Sequence, residues 1–198
     1  MATIFWLGLC YILGSFPFGL LVAQAFCKKD PRKLGSGNIG ATNVARVCGF
    51  SYGLAVLILD ILKGYLPIML AKYFSGSDFL ISLTAVVLVA GHMYSAFLYG
   101  KGGKGVATTV GIFLALAATP ALWAIGICLA VIYLTGFVSL GSLALVTSAP
   151  VIFLLSGNFV YIFVALIIMG LVFWRHEENI HRLLSGEENS WRKQTAEV

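Results

Sequence analysis

Three long apolar runs in the first half of the sequence, at positions 4–26, 52–74 and 79–99, constrain the fold more than any other feature. Each is long enough to cross the ~30 Å hydrocarbon core of a bilayer as an α-helix. Because that core holds no water, an isolated crossing segment satisfies its own backbone polar groups only as a helix. Hydrophobic residues make up 60% of the chain and charged residues 11%, whereas about a quarter of a soluble domain is charged. We therefore predict an all-α integral membrane protein.

The second half of the chain is apolar almost throughout, so turn residues rather than hydropathy divide it. Thr119-Pro120, the stretch 135–141 and Ser156-Gly157-Asn158 have the composition of helix breaks. The prediction is a polytopic helical bundle of about seven transmembrane helices, some of them short. Five crossings with a kink at Pro120 are the alternative. The shorter segments lie at 106–118, 120–135, 138–155 and 159–174.

Basic residues are unevenly distributed and predict the orientation. They follow the first, third and last apolar runs, whereas the connection at 75–78 has only Lys72 nearby. By the positive-inside rule the three basic connections and the C-terminus are cytoplasmic, and the N-terminus lies outside. The first run is interpreted as a retained span, not a signal peptide, because its charges follow it. These residues are Lys28, Lys29, Arg32, Lys33, Arg46, Lys101, Lys104, Arg175, Arg182, Arg192 and Lys193.

The chain has no obvious linker, low-complexity tract or internal repeat, so we predict a single domain over residues 1–198. Its net charge of +5 fits cytoplasmic loops beside anionic lipid better than it fits nucleic acid. The four cysteines are far apart and form no C-x-x-C, so they predict neither a disulfide framework nor a metal site. No Asp/Glu cluster suited to magnesium is visible either.

Three polar segments interrupt the apolar sequence: the first at 33–46, the second at 100–109 and the third at 175–182. Membrane proteins keep such residues where water, a ligand or a partner meets them. The second segment places glycines and two lysines before a predicted helix, which favours phosphate; a flexible connection touching lipid headgroups is the alternative. The first two segments match G-x-G-x-x-G, but no strand precedes either match, so no nucleotide is predicted.

The first polar segment supplies uncharged groups and one strong cation. Ser36, Asn38 and Asn43 offer donors and acceptors suited to sugar-like hydroxyls. Arg46 can bind a phosphate through two parallel hydrogen bonds, although an arginine at a membrane boundary is also an ordinary topology anchor.

The third polar segment is predicted to leave the last span as one continuous helix. His176 and Asn179, three residues apart, would then share a face, and His176 is a candidate proton acceptor or phosphate partner. Glu177 points elsewhere and could pair with Arg182 or with a basic residue of another segment. A solvated interfacial helix end is the alternative.

Three ionisable residues, Asp60, Lys63 and His92, lie deeper, inside predicted spans. Buried ionisable groups are costly and often functional. Asp60 and Lys63 are spaced to neutralise each other, so a structural brace is at least as plausible as chemistry. In a regular helix His92 would lie about 12 Å from the loop at Gly100, too far for direct contact without a bend. We predict a supporting role for all three.

The three segments together resemble the bacterial acyl-phosphate:glycerol-3-phosphate acyltransferases. The resemblance rests on Gly-Ser-Gly-Asn-Ile-Gly-Ala-Thr-Asn-Val with Arg46, on Gly91-His92 ahead of Lys-Gly-Gly-Lys-Gly-Val-Ala-Thr, and on His-Glu-Glu-Asn-Ile with Arg182. Each string alone would be weak, but the three in this order are specific. None of the histidines begins the His-x-x-x-x-Asp motif of the other large class of glycerol phosphate acyltransferases.

The resemblance implies an inner-membrane enzyme of phospholipid synthesis with its active site facing the cytoplasm. It would transfer a fatty acyl group from acyl phosphate to the 1-hydroxyl of glycerol 3-phosphate, giving lysophosphatidic acid and phosphate. No cofactor, metal, nucleic acid or obligatory protein partner is implied, and membrane lipid surrounds the enzyme. The resemblance implies Gly102, Gly103, Lys104 and Gly105 for binding and Ser36, Arg46, His176 and Asn179 for the reaction. Together with the reading of the residues themselves, the predicted catalytic residues are Ser36, Arg46, Lys104, His176 and Asn179. The predicted substrate-binding residues are Gly37, Asn38, Asn43, Lys101, Gly102, Gly103, Gly105 and Thr108, and the predicted supporting residues are His92, Asp60, Lys63, Glu177 and Arg182.

Two other classes remain open on the residues alone. A membrane transporter or exchanger of small organic phosphates would also need basic, Gly-rich segments, although transport sites usually lie near the midplane between repeated halves. A noncatalytic membrane scaffold would not need His176, Asn179 and a phosphate-type loop together.

Overall fold

The structure, a computed structural model, describes residues 1–192. Lys193, placed by sequence in the basic tail, lies outside the described residues. The chain divides into two compact units, Met1–Leu116 and Ala117–Val198. The first unit contains α1 (Ala2–Ser15), α2 (Phe18–Phe26), α3 (Ala41–Cys48), α4 (Phe50–Phe74), α5 (Asp78–Met93) and α6 (Val106–Leu116). The second contains α7 (Ala118–Thr135), α8 (Val138–Leu155), α9 (Ile162–Arg175) and α10 (Glu177–Leu184).

The predicted all-α architecture is confirmed, with some differences in the spans. Among residues 1–192, 5 helices or broken helices are long and apolar enough to cross a membrane, and the bent pair formed by α9 and α10 makes up to 6. The remaining predicted crossing, 106–118, contains only the 11-residue helix α6. Ala117 has extended backbone angles, so the break lies there and not at Thr119-Pro120. Pro120 falls in the first turn of α7, where its missing N–H costs nothing.

The first span is broken in its middle, between α1 and α2. Pro17 cannot donate a backbone hydrogen bond, so carbonyl groups of the preceding turn lose their helical partners. Lys63 Nζ donates to the Phe16 carbonyl at 3.0 Å, and Ser95 Oγ donates to the Ser15 carbonyl at 2.6 Å. Side chains from two other helical segments therefore satisfy the carbonyls at the break.

Helix α4 is the scaffold on which the neighbouring helices of the first unit pack. Gly53 approaches Ala45 of α3 so closely that a Cβ on Gly53 would overlap it. Gly64 approaches the Thr108 carbonyl of α6, and Gly111 of α6 approaches the Ile61 carbonyl of α4. Close backbone approach at small residues is the usual way membrane helices associate. The first polar segment ends within α3, and the second runs into the start of α6. Because both helices pack on α4, α4 positions both segments.

The third apolar run ends as a helix earlier than predicted. Helix α5 stops at Met93, and a short 3₁₀ turn at Ala96–Leu98 follows. Tyr99 and Gly100 both have positive φ, at 51° and 79°, and reverse the chain. Residues 100–105 consequently return over the end of α5.

In the second unit, α7 and α8 form a helical hairpin with a turn at Gly136. Gly136 has φ +82° and follows the last residue of α7. The helix therefore ends within the break predicted at 135–141. The segment after α10 returns to this turn, where the Trp191 backbone N–H donates to the Gly136 carbonyl at 3.0 Å. The Arg192 guanidinium donates to the Tyr133 carbonyl beside it.

The structure contains a disulfide that the sequence did not predict. Cys27 and Cys48, which lie 21 residues apart, form a disulfide with Cα atoms 5.8 Å apart. It joins the end of α2 to the end of α3. Their spacing in sequence carries no sign of this pairing, which follows from the way α3 folds back beside α2. Cys10 and Cys128 are buried free thiols.

Candidate active site

The loop of the first polar segment is organised around the buried amide of Asn43. Its Nδ2 donates to the carbonyls of Pro31, Leu34 and Asn38 at 2.8–3.0 Å. Its Oδ1 accepts from the Ser36 backbone N–H at 2.8 Å. Both ends of this side chain therefore bind loop backbone. Sequence reasoning expected Asn43 to contact substrate, whereas the geometry gives it a loop-shaping role.

The same loop presents Ser36 at the surface next to Arg46. Gly35 and Gly37 have φ values of +61° and +71°, which a residue with a side chain rarely adopts. A Cβ on Gly35 would overlap Asn43 Oδ1 and lie 3.3 Å from Arg46 Cδ. Asn38 Oδ1 accepts from the Gly40 N–H at 2.8 Å, which forms a local turn before α3. The exposed Ser36 thus lies on a loop whose Gly35 packs against the half-buried Arg46 of α3.

The Gly-rich loop of the second polar segment lies directly on His92. The Gly102 N–H donates to the Met93 carbonyl at 3.0 Å, and the Gly103 N–H donates to the His92 carbonyl at 3.1 Å. The helix is not regular up to Gly100: α5 ends at Met93 and the chain turns back, which gives the bend that direct contact requires. These two N–H groups also point to α5, not to an anion as the glycine pattern suggested.

Other groups suited to an anion lie one step further along the chain. Gly105 has φ +81° and leads into α6, whose first-turn N–H groups have no partners within the helix. Lys104 precedes it, half-buried, while Lys101 is exposed. Thr108, predicted to bind substrate, is fully buried, and its hydroxyl lies 3.3 Å from His92 Nδ1.

Asp60 and Lys63 form a buried ion pair, with Lys63 Nζ 2.7 Å from Asp60 Oδ1. Lys63 also donates to the Phe16 carbonyl at the break in the first span. Asp60 Oδ1 lies 3.9 Å from His92 Nδ1. The pair thus connects α4 to the first span and lies near the histidine under the Gly-rich loop. The supporting role of the three residues stays a prediction.

The third polar segment bends where a continuous helix was expected. Helix α9 ends at Arg175 and α10 starts at Glu177, at an angle of 64°. His176 lies at the corner, and its Nδ1 donates to the Val172 carbonyl at 2.8 Å. Since a carbonyl can only accept, Nδ1 carries the proton, and the neutral ring has its lone pair on Nε2. His176 and Asn179 are both buried despite the bend, at 2% and 5% exposure.

Glu188 organises the second unit's polar cluster, and sequence reasoning missed it. Its Oε1 accepts from Asn179 Nδ2 at 2.7 Å and from Ser139 Oγ at 2.8 Å, while its Oε2 accepts from Arg182 Nε at 2.9 Å. Arg182 therefore pairs with Glu188 and more distantly with Glu178, not with the exposed Glu177 that sequence suggested. The sequence signal for Glu188 was a carboxylate six residues after Arg182. Carboxylates near exposed helix ends are common, so this signal is weak.

Two carboxyl groups outside the spans have lowered pKa values. Desolvation pushes the pKa of Glu188 upwards, but hydrogen bonds from Asn179, Ser139 and Arg182 outweigh it and hold the pKa below its usual value. At the start of the first polar segment, the hydrogen bond from Arg32 lowers the pKa of Asp30 to about 2. Both groups are therefore ionised at neutral pH, and Glu188 gives the buried Asn179 a charged acceptor.

Each unit thus assembles part of the predicted set. The first unit joins the loop at Ser36 to Asn43 of α3, with Arg46 of α3 beside Gly35. It also packs the Gly-rich loop on His92, which lies near the Asp60–Lys63 pair. The second unit joins Asn179 and Arg182 through Glu188, with His176 at the adjoining bend. Within residues 1–192, no group of three or more His, Cys, Asp or Glu side chains could hold a metal ion.

Comparison with known proteins identifies the family. The family model for glycerol-3-phosphate acyltransferase matches residues 4–186. A glycerol-3-phosphate acyltransferase of Lawsonia intracellularis is 49% identical over 187 residues, covering 94% of each chain. The chain belongs to the glycerol-3-phosphate acyltransferase family. The resemblance inferred from the three polar segments is thereby confirmed.

Two solved structures agree with the family in fold. They are crystal structures of PlsY, an integral membrane glycerol 3-phosphate acyltransferase, in its glycerol 3-phosphate form and its lysophosphatidic acid form. Each is 38% identical to this chain and covers 96% of it, with TM-scores of 0.93 and 0.89 and coverage of 96% and 95% of the PlsY chain. The chain is therefore a multi-pass membrane acyltransferase. The family match contains all three polar segments but ends two residues before Glu188.

Proposed function

We propose that this acyltransferase uses acyl phosphate as donor and glycerol 3-phosphate as acceptor, and releases lysophosphatidic acid and orthophosphate. The observation that carries the proposal is the likeness, over 96% of the chain, to a structure of PlsY in its glycerol 3-phosphate form. The Gly-rich loop with Lys104, together with Arg46, supplies the cations that two phosphorylated substrates need. All three polar segments serve this one reaction.

In the proposed reaction the glycerol hydroxyl attacks the acyl carbon directly. A C–O bond forms to glycerol, the bond from the acyl carbon to the phosphate oxygen breaks, and orthophosphate leaves with the electron pair. An acyl phosphate is a mixed anhydride with a good leaving group, so positioning and charge neutralisation matter more than a strong base. No acyl-enzyme forms, and no cofactor takes part.

Lys104, Arg46 and the first N–H groups of α6 hold the phosphoryl oxygens in this proposal. Charge-assisted hydrogen bonds from such donors are about twice as strong as neutral ones. Ser36, exposed on its rigid loop, and Asn179, held by Glu188, orient the glycerol. Gly37, Asn38, Gly102, Gly103 and Gly105 give both loops their shape, and Asn43 acts in the same way.

His176 is one of two candidate proton acceptors, the other being the departing phosphate. Its Nδ1–H is bound to the Val172 carbonyl, so the neutral ring has its basic lone pair on Nε2. A histidine held in one tautomer by a backbone carbonyl needs no reorganisation before it accepts a proton. This geometry supports His176 over the phosphate.

The proposed location is the bacterial inner membrane, with the active site facing the cytoplasm. The support is the excess of Lys and Arg in the three polar segments. The acyl chain of the donor then lies among the apolar helices and enters sideways from the bilayer. The chain functions as one domain without an obligatory protein partner.

Reconstitution tests the proposal directly. Purified protein in lipid, given acyl phosphate and glycerol 3-phosphate, should form lysophosphatidic acid and orthophosphate in equal amounts. Arg46→Ala and Lys104→Ala should each lower kcat/KM by about tenfold to a hundredfold, the loss expected for a hydrogen bond to a charged group. His176→Ala should lower kcat. Uptake of glycerol 3-phosphate into vesicles without acyl transfer would instead indicate a transporter.

A trapping experiment tests direct attack separately. The enzyme is incubated with radiolabelled acyl phosphate in the absence of glycerol 3-phosphate, quenched in acid and separated from lipid. We expect no acyl group on the protein. A stable label on Ser36 or on any cysteine would overturn direct attack while leaving the overall reaction intact.

A further inference from the structure

The Gly-rich loop is bound to the end of α5 through two successive backbone hydrogen bonds. The N–H groups of Gly102 and Gly103 donate to the carbonyls of Met93 and His92. Both glycines are buried. The path of this loop is therefore set by the last turn of α5, before any ligand is considered.

The imidazole of His92 occupies the space that a side chain at position 103 would need. A Cβ on Gly103 would overlap His92 Nε2 and would lie 3.1 and 3.2 Å from the two adjacent ring carbons. A Cβ on Gly102 would instead overlap the backbone carbonyl of His92. Glycine is thus required at both positions for packing, but against different parts of the same histidine.

The His92 ring is held from its other side and cannot easily move away. Its Nδ1 lies 3.3 Å from Thr108 Oγ1 of α6 and 3.9 Å from Asp60 Oδ1 of α4. Asp60 in turn is paired with Lys63. His92 is 5% exposed. The ring therefore joins α4, α5 and α6 and presents a fixed surface to the loop.

We propose that His92 is a positioning residue for the phosphate-binding loop. Its imidazole sets the path of Gly102 and Gly103, and so the direction in which Lys104 and the start of α6 face the phosphate of glycerol 3-phosphate. His92 itself does not touch the substrate. This inference rests on the proposed function, because it assigns the loop to that substrate.

Gly103 packs against the His92 side chain, whereas Gly102 packs against the His92 backbone carbonyl, so paired substitutions at these positions test the proposal. Gly103→Ala should raise KM for glycerol 3-phosphate about tenfold or more, since a displacement of about 1 Å suffices for such losses. His92→Ala should raise KM less, with a smaller change in kcat. In the double variant the alanine Cβ has room, so KM should fall at least about threefold below that of Gly103→Ala alone.

Gly102→Ala is the matched control. Its Cβ meets the backbone carbonyl of residue 92, which His92→Ala leaves in place. Combining His92→Ala with Gly102→Ala should therefore give no rescue. Equal rescue of both glycine variants, or of neither, would overturn the proposal. So would a His92→Ala variant that loses kcat with KM unchanged.

Thermal unfolding separates this inference from the proposed function. The midpoint lost in Gly103→Ala should be partly recovered in the double variant, whether or not the protein turns over substrate. If wild type transfers no acyl group, the proposed function fails while this coupling still reports on the packing.

His92→Asn, which removes the ring atoms but keeps a polar group near Thr108, replaces His92→Ala if that variant does not fold. Lack of coupling with either variant contradicts the positioning role.

Discussion

At the scale of single residues, the structure shows that some predicted site side chains bind neighbouring protein groups. Asn43 binds four backbone groups around its loop, and Glu188 binds three side chains of the second unit. Polar residue type alone does not distinguish these roles. The sequence therefore marked polar segments but did not show which side chains shape the loops within them.

Glu188→Gln should impair the enzyme although the side chain keeps its shape. The variant loses the charge that accepts from Arg182 and Asn179, and its amide N–H₂ must face one of these donors. Hydrogen bonds to charged groups contribute about 1.5–3 kcal/mol, so we expect kcat to fall by more than about tenfold. Steady-state kinetics of the reconstituted enzyme measures this. Glu187→Gln, the exposed neighbour, is the control and should behave as wild type.

The lowered pKa of Glu188 predicts a pH dependence of stability. A carboxyl group whose folded-state pKa lies below its unfolded value of ~4.3 stabilises the fold fully above that value. Its contribution disappears as the pH falls through the folded-state pKa. The difference in unfolding midpoint between wild type and Glu188→Gln should thus be constant from about pH 7 to 5 and shrink below about pH 4. A difference that grew on acidification would contradict this assignment.

At the scale of helices, two breaks in the apolar helices are stabilised by side chains of predicted site residues. The first span breaks at Pro17 and the third segment bends at His176, and in both cases a side chain binds the carbonyls near the break. Sequence reasoning treated the first run as one span and did not predict its break, although Pro17 is a helix breaker. No residue near His176 is a helix breaker. The bend therefore could not have been read from residue types.

The buried pair at the first break provides a prediction about stability. Lys63→Met leaves Asp60 charged and buried, and leaves the Phe16 carbonyl without its donor. Breaking a buried pair costs about 3–5 kcal/mol, whereas replacing both partners is often nearly neutral. We expect a large fall in the unfolding midpoint of Lys63→Met, measured in detergent, and substantial recovery in Asp60→Asn with Lys63→Met. Lys72→Met, which removes a donor to the Leu116 carbonyl at a helix end, should cost less.

At the scale of the whole molecule, the expected orientation stays a prediction. Labelling of single cysteines, in a variant whose own four cysteines are alanine, tests it. Lys33→Cys, Lys101→Cys and Ser185→Cys should react with a membrane-impermeant reagent only from the cytoplasmic side. Ser77→Cys, between α4 and α5, should react only from the other side. Labelling of Ser77→Cys together with Lys33→Cys from one side would contradict the topology.

The sequence by itself determined that the chain is a helical membrane protein, which family it belongs to, and which three segments carry polar chemistry. Those conclusions depend on the length of apolar runs and on local strings, and both are properties of neighbouring residues. Only the tertiary structure decided that the Gly-rich loop lies on His92, that Cys27 meets Cys48, and that Glu188 holds Asn179. These contacts join residues that chain reversals and close helix packing bring together. The geometry of those reversals depends on the whole fold, so no periodic sequence pattern predicts it.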